Sequence, residues 1–229
     1  MTIPSHKRAL VFGASGGIGS AIVDTIDARA DFSECIGLAR QTADFDLLDE
    51  ASIEHQAATL QGQEFDLIFV ATGALATSFG RPEKSFSALS PDAMHQVLAI
   101  NTVGVALLIK HFGPLLAKGR RAVFANLSAR VGSIEDNRLG GWISYRASKA
   151  AVNQVMRCAA VEFGRTRKQS IFASLHPGTI ESGLTKEFAR GKYTATPEEC
   201  ATNLLSVLDS LEPEQSGRFF AYDGSTIPW

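Results

Sequence analysis

The sequence predicts one α/β domain, residues 1–229, in which a doubly wound parallel sheet carries helices on both faces. Short apolar runs alternate with helical patterns along the whole chain, and this alternation is typical of parallel strands joined by crossover helices. The first apolar run passes directly through a glycine-rich turn into a helical pattern. We find no repeat, low-complexity run or linker that would divide the chain.

Six apolar runs are predicted to be strands, because they are short and nearly continuous, as strands buried on both faces are. They are residues 8–12, 34–39, 65–71, 122–127, 170–175 and 217–222. Helices are predicted after the glycine turn and over 52–61, 91–116, 149–163 and from 197 onward. Ser90 and Thr196 each precede a proline and are therefore expected to cap the helices that follow.

Composition excludes several classes of protein. The apolar fraction of 45% argues against a disordered chain, and we find no uninterrupted apolar stretch of about 18 residues that would predict a membrane span. A net charge of −2 gives no bulk attraction to nucleic acid. The three cysteines lack CxxC spacing, so we expect no metal site and no disulfide framework, and a reducing, cytoplasmic location.

The glycine turn has the composition of a phosphate-binding loop. Gly13, Gly17 and Gly19 follow the first strand with the spacing GxxxGxG, and Ser15 and Ile18 lie between them. The missing Cβ atoms let the backbone approach an anion, and the helix N-terminus that follows presents free N–H groups to it. A plain tight turn is the alternative.

The residues after the second strand favour a phosphorylated cofactor. Nucleotide-binding sheets commonly place an acid there to bind the ribose hydroxyls, whereas this chain has Ala39 followed by Arg40. An arginine pairs with a 2′-phosphate, which indicates NADP more than NAD. Asp46 is a candidate acceptor for the adenine amino group, with Leu47 packing nearby. The alternative for Arg40 is a solvated surface position.

Tyr145 and Lys149 are four residues apart, so on a helix they share one face. An ammonium close to a phenol favours the phenolate, which would let Tyr145 exchange a proton near neutral pH. An exposed Tyr–Lys pair without a function is the alternative. Asn101 lies in the middle of a predicted helix, where asparagine is unfavourable; it either bends the helix, holds a water or is a satisfied polar group of the core.

With these pieces in place, the chain resembles the short-chain dehydrogenase/reductase family, which has a Rossmann-type fold, over nearly its full length. The matching motifs are Gly13-Ala-Ser-Gly-Gly-Ile-Gly19, Asp46-Leu47, Ala71-Thr72-Gly73-Ala74, Asn101-Thr-Val-Gly104, Asn126-Leu-Ser128, Tyr145-xxx-Lys149 and Pro177-Gly178. Within the family it resembles the C-factor-like subgroup. The runs that carry this finer likeness are Pro82-Glu-Lys-Ser85, Ala129-Arg-Val-Gly-Ser-Ile134 and the ending Tyr222-Asp-Gly-Ser-Thr-Ile-Pro-Trp229.

The resemblance implies roles for the motif residues. Tyr145 is implied as the general acid/base, with Lys149 lowering its pKa, holding the nicotinamide ribose and connecting through water to Asn101. Ile180 and Ser182 are implied to hold the nicotinamide carboxamide. The remaining cofactor contacts implied by the motifs are Gly13, Ser15, Gly17, Ile18, Gly19, Ala71, Thr72, Gly73, Pro177 and Gly178.

Two positions depart from the family pattern. Phe12 stands where the first motif usually opens with threonine, so a side-chain bond that braces the turn is lost. Ala129 stands where the family usually has its catalytic serine. Ser128 is one residue earlier, and Ser133 lies twelve residues before Tyr145, so both serines remain candidates for the catalytic hydroxyl.

The resulting prediction is an NAD(P)-dependent oxidoreductase that acts on a small-molecule carbonyl or alcohol, with no nucleic-acid or membrane partner and with a homo-oligomer left open. Two alternatives are weighed against it. A nucleotide-sugar epimerase or dehydratase needs a larger C-terminal region than the part of the chain that follows Lys149. A cofactor-binding regulatory or signalling protein with weak catalysis is compatible with the displaced serine and with the C-factor resemblance.

Overall fold

The computed structural model describes residues 7–40, 45–183, 185–188 and 191–229, and its centre is a six-stranded sheet in which every pair of neighbours is parallel. The strands are β1 (Lys7–Phe12), β2 (Phe32–Leu38), β3 (Leu67–Val70), β4 (Ala122–Leu127), β5 (Ser170–His176) and β6 (Arg218–Ala221). Their order across the sheet is β2-β1-β3-β4-β5-β6. Each of the six apolar runs is a strand, so the predicted fold class is confirmed.

Helices cover both faces of this sheet. They are α1 (Gly17–Asp27), α2 (Glu50–Thr59), α3 (Pro91–Leu98), α4 (Gly104–Phe112), α5 (Ile143–Gly164) and α6 (Pro197–Ser210). Apolar side chains of α2, α4 and α5 form a core on one face, and those of α1 and α6 form a second core on the other. The apolar content of the strands is thus explained by burial on both sides.

The predicted helix caps are present. Ser90 Oγ accepts a hydrogen bond from the Ala93 N–H at 3.3 Å. Thr196 Oγ1 accepts one from the Glu199 N–H at 3.2 Å, and the Glu199 carboxylate accepts from the Thr196 N–H in return. These bonds satisfy N–H groups that have no acceptor inside their own helix.

The helices predicted over 91–116 and 149–163 differ most from the structure, whereas α2 lies two residues earlier than the predicted 52–61. The helix expected over 91–116 is interrupted by a π-helical segment, Ala99–Val103, between α3 and α4. Helix α5 begins at Ile143, so Tyr145 lies inside its first turn instead of before it. The periodicity of the apolar residues could not show this start, because the first turn of α5, Ile143-Ser-Tyr-Arg146, is mostly polar.

Residues 91–115 form a helical stretch long and apolar enough by composition to cross a membrane, but half of the relevant window is buried inside the protein. Val105, Leu108 and Phe112 pack into the core beneath the sheet, which is how the core helix of a folded domain satisfies its apolar face. All three cysteines are free thiols; Cys200 is buried and Cys158 is exposed.

The order of the strands reverses next to β1, which has β2 on one side and β3 on the other. In an open parallel sheet, ligands bind in the crevice outside the carboxyl ends of the strands at such a reversal. The glycine turn directly follows β1, so the fold places the predicted phosphate loop at this crevice.

Candidate active site

A cleft of about 640 Å³ opens at the carboxyl ends of β1, β3, β4 and β5. Five segments line it: the glycine turn, the residues after β3, the residues after β4, the first turns of α5 and the residues after β5. The predicted site residues among them are Gly17, Ile18, Gly19, Ala71, Thr72, Gly73, Ser128, Tyr145, Lys149, Pro177, Gly178, Ile180 and Ser182. The fold therefore brings together most of the residues that were singled out in the sequence.

The glycine turn is packed too tightly for side chains at two positions. A Cβ on Gly19 would lie 2.1 Å from the carbonyl oxygen of Gly13, and Gly13 itself has a left-handed φ of 80°. Gly13 is half-buried and Ser15 is exposed, and among the predicted turn residues these two do not line the described cleft. Helix α1 begins at Gly17, and its first N–H groups have no acceptor inside the helix.

The turn is braced by the backbone, which accounts for the loss of the family's threonine. The N–H groups of Gly13 and Ala14 both donate to the carbonyl of Leu38 on β2, at 2.9 and 3.3 Å. The Phe12 ring is fully buried and packs against Phe112 with ring centroids 4.7 Å apart. The side chain at this position therefore contributes to the core instead of to the turn.

The residues predicted for the adenosine end lie after β2 and outside the described cleft. Arg40 is exposed, and the next four residues fall outside the described part of the chain. Asp46 is exposed, and its carboxylate already accepts a bond from the Leu48 N–H at 2.9 Å. Leu47 is buried against Gly104, where a Cβ would meet its side chain at 2.5 Å.

Tyr145 and Lys149 share the face of α5 that points into the cleft. Both are almost fully buried, with 7% and 3% of their surfaces exposed. Lys149 Nζ lies 5.8 Å from the centroid of the Tyr145 ring and donates a hydrogen bond to the Leu127 carbonyl at 2.8 Å. The ammonium is therefore anchored to the end of β4, directly behind the tyrosine.

Burial dominates the protonation of this pair. It raises the pKa of Tyr145 above its ordinary value, and it lowers the pKa of Lys149 to about 8. The proximity of the ammonium in the sequence predicts a lowered pKa for Tyr145; in this structure the cost of burying a phenolate outweighs that attraction. Tyr145 is thus held as a neutral hydroxyl, the form that donates a proton.

Asn101 is a satisfied polar group at the π-helical segment. Its side chain accepts from the Ala74 N–H and donates to the Ala74 carbonyl, both at 2.8 Å, and it also donates to Ser148 Oγ at 3.0 Å. A Cβ on Gly73 would lie 3.5 Å from both Asn101 Oδ1 and Lys149 Nζ. Asn101 therefore fixes the turn after β3 against α5, next to the lysine.

The two candidate serines have different surroundings. Ser128 lines the cleft, and its buried hydroxyl has no hydrogen-bond partner among the described residues. Ser133 is buried away from the described cleft, and its hydroxyl accepts a bond from the Asp136 N–H at 3.1 Å. Ala129, which directly follows Ser128 in the sequence, also lines the cleft. The geometry favours Ser128 as the hydroxyl available to a ligand.

The segment after β5 forms the opposite wall. Gly178 has a left-handed φ of 85°, and the turn it makes brings Ile180 to pair with Ala195. Ser182 is fixed by Thr185, because the Ser182 N–H donates to Thr185 Oγ1 at 3.2 Å. Four more described residues, from the segments after β3 and β5, also line the cleft: Leu75, Thr185, Phe188 and Lys192.

Several cleft residues had been given no role from the sequence. His176 ends β5; its Nδ1 atom is buried without a partner among the described residues, and burial with the nearby Arg130 lowers its pKa to about 4. Trp142 has a left-handed φ of 49° and contacts the Tyr145 ring, with centroids 6.2 Å apart. The alternation along β5, which places Phe172, Ser174 and His176 on one face, was the available signal for His176.

Within the described ranges, no group of three His, Cys, Asp or Glu side chains could hold a metal ion.

Known proteins resemble this chain in sequence and in fold. The family model described as enoyl-(acyl carrier protein) reductase matches residues 14–218. The 1-hydroxy-2-glutathionyl-2-methyl-3-butene dehydrogenase of Rhodococcus sp. (strain AD45) is 32% identical over 236 residues, which cover 97% of this chain and 100% of the relative. C-signal of Myxococcus xanthus is 32% identical over 136 residues, covering 59% of this chain and 78% of that protein. Among solved structures, an NADPH-bound carbonyl reductase from chicken fatty liver superposes with a TM-score of 0.84 at 24% identity, over 97% of this chain and 94% of the other.

Proposed function

The chain belongs to the short-chain dehydrogenase/reductase family of oxidoreductases, and on that premise we propose that it reduces a carbonyl, or oxidises the corresponding alcohol, of a small molecule with a nicotinamide cofactor. The observation that carries this proposal is the buried pair of Tyr145 and Lys149, which faces a cleft that the glycine turn also lines. The bound nicotinamide would supply the hydride, and the chain would supply alignment and the proton.

The cleft fits a dinucleotide. The glycine turn and the free N–H groups at the start of α1 suit a pyrophosphate. Thr72, Ser128 and His176 present buried polar atoms that lack partners among the described residues, and a bound polar ligand would satisfy them. Lys149 would hold the nicotinamide ribose, and the segment from Pro177 to Ser182 would hold the carboxamide.

We propose NADP as the cofactor, with NAD as the alternative. Ala39 and Arg40 stand at the end of β2, where an acid would repel a 2′-phosphate. The Arg40 side chain is exposed and is not held by a salt bridge within the described residues. The carbonyl reductase from chicken fatty liver has NADPH bound, which supports the same cofactor here.

Tyr145 is proposed as the general acid in reduction and the general base in oxidation. Burial keeps its hydroxyl protonated, so it can donate to the oxygen of a carbonyl as hydride reaches the carbon. Ser128 is proposed to orient that oxygen. Asn101 is proposed to act through the backbone, by fixing the turn at Ala74 against α5 and so keeping the wall of the cleft beside Lys149 in place.

The walls of the cleft indicate a substrate with an apolar body. Leu75, Val131, Trp142 and Phe188 line it, and the Trp142 and Phe188 rings meet edge to face at 5.7 Å. Within the described part of the chain, the charged side chains that line the cleft are the cations Arg130, Lys149 and Lys192. Because the Rhodococcus relative is named for a glutathionyl-substituted alcohol, we include substrates that bear anionic groups among those to be tested.

A regulatory protein with weak catalysis is the second candidate. Two observations favour it: Ala129 provides a methyl group where the family usually has a hydroxyl, and C-signal of M. xanthus is a relative over 59% of this chain. Cofactor binding without turnover across a broad substrate panel would support this candidate against the first.

The test is a panel of aldehydes, ketones and alcohols, including glutathionyl-substituted primary alcohols, read by nicotinamide absorbance with both cofactors. Turnover should appear with the wild type, and Tyr145→Phe should reduce it by about 10²-fold or more while cofactor affinity is retained. Tyr222→Phe removes the same hydroxyl group outside the described cleft and is the matched control. Near-normal turnover by Tyr145→Phe would refute the role of the tyrosine.

A further inference from the structure

Glu83 is a buried carboxylate that no cofactor or substrate role explains. Only 4% of its surface is exposed. The other buried acid in the described part of the chain, Asp66, is paired with Arg120 at 2.6 Å, whereas Glu83 forms no salt bridge among the described residues. A carboxylate removed from water requires compensating hydrogen bonds.

The start of helix α5 provides those bonds. Glu83 Oε2 accepts from the Ser144 N–H at 3.2 Å, and Glu83 Oε1 accepts from the Ser144 hydroxyl in a short hydrogen bond. The Glu83 backbone carbonyl also accepts from the Trp142 N–H. Trp142 occupies the N-cap position of α5 and makes no side-chain capping bond of its own. Glu83 therefore caps the helix from a loop distant in sequence, at the end where a negative charge is favourable.

The segment that Glu83 holds is conformationally unfavourable. Gly140, Gly141 and Trp142 follow one another with φ values of 60°, 65° and 49°. Trp142 is the one described residue other than glycine with a positive φ, and such a conformation persists only where its surroundings enforce it. The backbone carbonyl of Glu83 holds the N–H of Trp142 itself, and its carboxylate holds Ser144, two residues further on.

We propose that Glu83 is a positioning residue that fixes the first turn of α5 and thereby sets the position of the Tyr145 hydroxyl in the cleft. Ser144 directly precedes Tyr145, and the Trp142 ring packs against the tyrosine. Leu75 belongs to the same connection between β3 and α3 as Glu83, and it lies in one apolar cluster with Tyr145. Catalysis falls steeply when a reacting group is displaced by about 1 Å, so a rigid first turn matters to turnover. This role rests on the proposed oxidoreductase function.

The variants are Glu83→Ala, Glu83→Gln and Ser144→Ala, with Glu212→Ala as control. Glu212 precedes a short 3₁₀ turn at Pro213–Gln215, where its backbone N–H donates to Gln215 Oε1 at 2.9 Å; its side chain is exposed and lies outside the described cleft. We expect Glu83→Ala to lower kcat about tenfold or more while the affinity for NADPH changes less than about twofold. Glu83→Gln retains one acceptor oxygen and should recover part of the loss, and Ser144→Ala combined with Glu83→Ala should cost no more than Glu83→Ala alone. Glu212→Ala removes an exposed carboxylate and should leave kcat and the affinity for NADPH unchanged.

A readout that does not depend on turnover separates this proposal from the proposed function. In a Trp229→Phe background the remaining tryptophan is Trp142, so its emission reports the first turn of α5. We expect Glu83→Ala to shift that emission toward longer wavelength, and Glu212→Ala to leave it unchanged. An unchanged emission maximum in Glu83→Ala, or an unchanged kcat well below its melting temperature, overturns the positioning role. If Glu83→Ala does not fold, the same criteria apply to Glu83→Gln and Ser144→Ala. A wild type without turnover refutes the proposed function and leaves the fluorescence test in force.

Discussion

Cofactor binding should weaken as the pH rises through about 8, because Lys149 loses its proton there. The pKa of Lys149 is lowered by burial to about 8. If only the ammonium form holds the cofactor, apparent affinity follows the protonated fraction, which is about 0.9 at pH 7 and about 0.1 at pH 9. The expected loss of affinity between those pH values is therefore about tenfold. The 2′-phosphate of NADPH contributes little to this change, because the second pKa of a phosphate monoester is about 6 and the group is already almost fully ionised at pH 7.

Over this range Lys149 affects the stability of the folded protein in the opposite direction from cofactor affinity. The pKa of Lys149 is lower in the folded protein than its ordinary value of 10.5, so the unfolded chain binds more protons between about 8 and about 10.5. Lys149 then makes the folded state more stable as the pH rises through that window. A weaker affinity at pH 9 cannot be assigned to unfolding caused by this residue.

The assay is titration of NADPH by fluorescence at pH 7, 8 and 9 and constant ionic strength, with a melting curve at each pH. Lys149→Met keeps the length and the apolar stem of the side chain and should bind weakly at every pH, without the tenfold trend. Lys168→Met removes a lysine outside the described cleft and should behave like the wild type. Affinity that is constant within about twofold between pH 7 and 9, or an equal trend in Lys149→Met, would refute the reasoning.

Four further substitutions test other parts of the site. Arg40→Asp should weaken NADPH by about tenfold or more and NADH much less, because it replaces a phosphate partner with a repelling charge; equal losses in parallel titrations would reject the NADP preference. Ser128→Ala should lower turnover by about 10²-fold at unchanged cofactor affinity, while Ser133→Ala should lower mainly the melting temperature; the reverse result would move the catalytic hydroxyl to Ser133. The pKa of His176 is lowered by burial from 6.5 to about 4, so between these pH values the unfolded chain binds a proton that the folded protein does not. The free energy of unfolding therefore falls as the pH falls from 6.5 to about 4, by about 3 kcal/mol at most. His176→Asn should therefore show a smaller drop in unfolding free energy between pH 7 and pH 4.5 than the wild type, and urea unfolding curves with equal drops would contradict this.

The sheet and the shared helix face of Tyr145 and Lys149 could be predicted because their signals are local. Strands such as 122–127 are short apolar runs, and the spacing of Tyr145 and Lys149 places them on one helix face wherever the helix begins. The start of α5 could not be predicted in the same way. It depends on Trp142 adopting a left-handed conformation and on a cap from Glu83, which is far away in sequence.

The pKa of Tyr145 and the choice between the two serines could not be predicted from the sequence either. Proximity of Lys149 predicted a lowered pKa for Tyr145, but proximity in sequence gives no measure of burial, and burial reverses the direction. The choice between Ser128 and Ser133 needed the fold, because the distinction is whether the hydroxyl faces the cleft or a backbone N–H.

The π-helical segment between α3 and α4 has a consequence for the angular phase of that stretch. The buried residues Ala93, Val97, Asn101 and Val105 recur at every fourth position. On a helix with 3.6 residues per turn, each such step drifts by about 40°, so three steps would carry Val105 about a third of a turn away from Ala93. The π-helical turn at Ala99–Val103 holds more residues than a regular turn and offsets most of this rotation. The four residues therefore stay on the same side of the helix. The spacing of Asn101 is therefore a sequence signature of the wider turn: a deletion of one residue there would restore a regular helix but rotate the asparagine amide away from Ala74 or the apolar face of α4 away from the sheet.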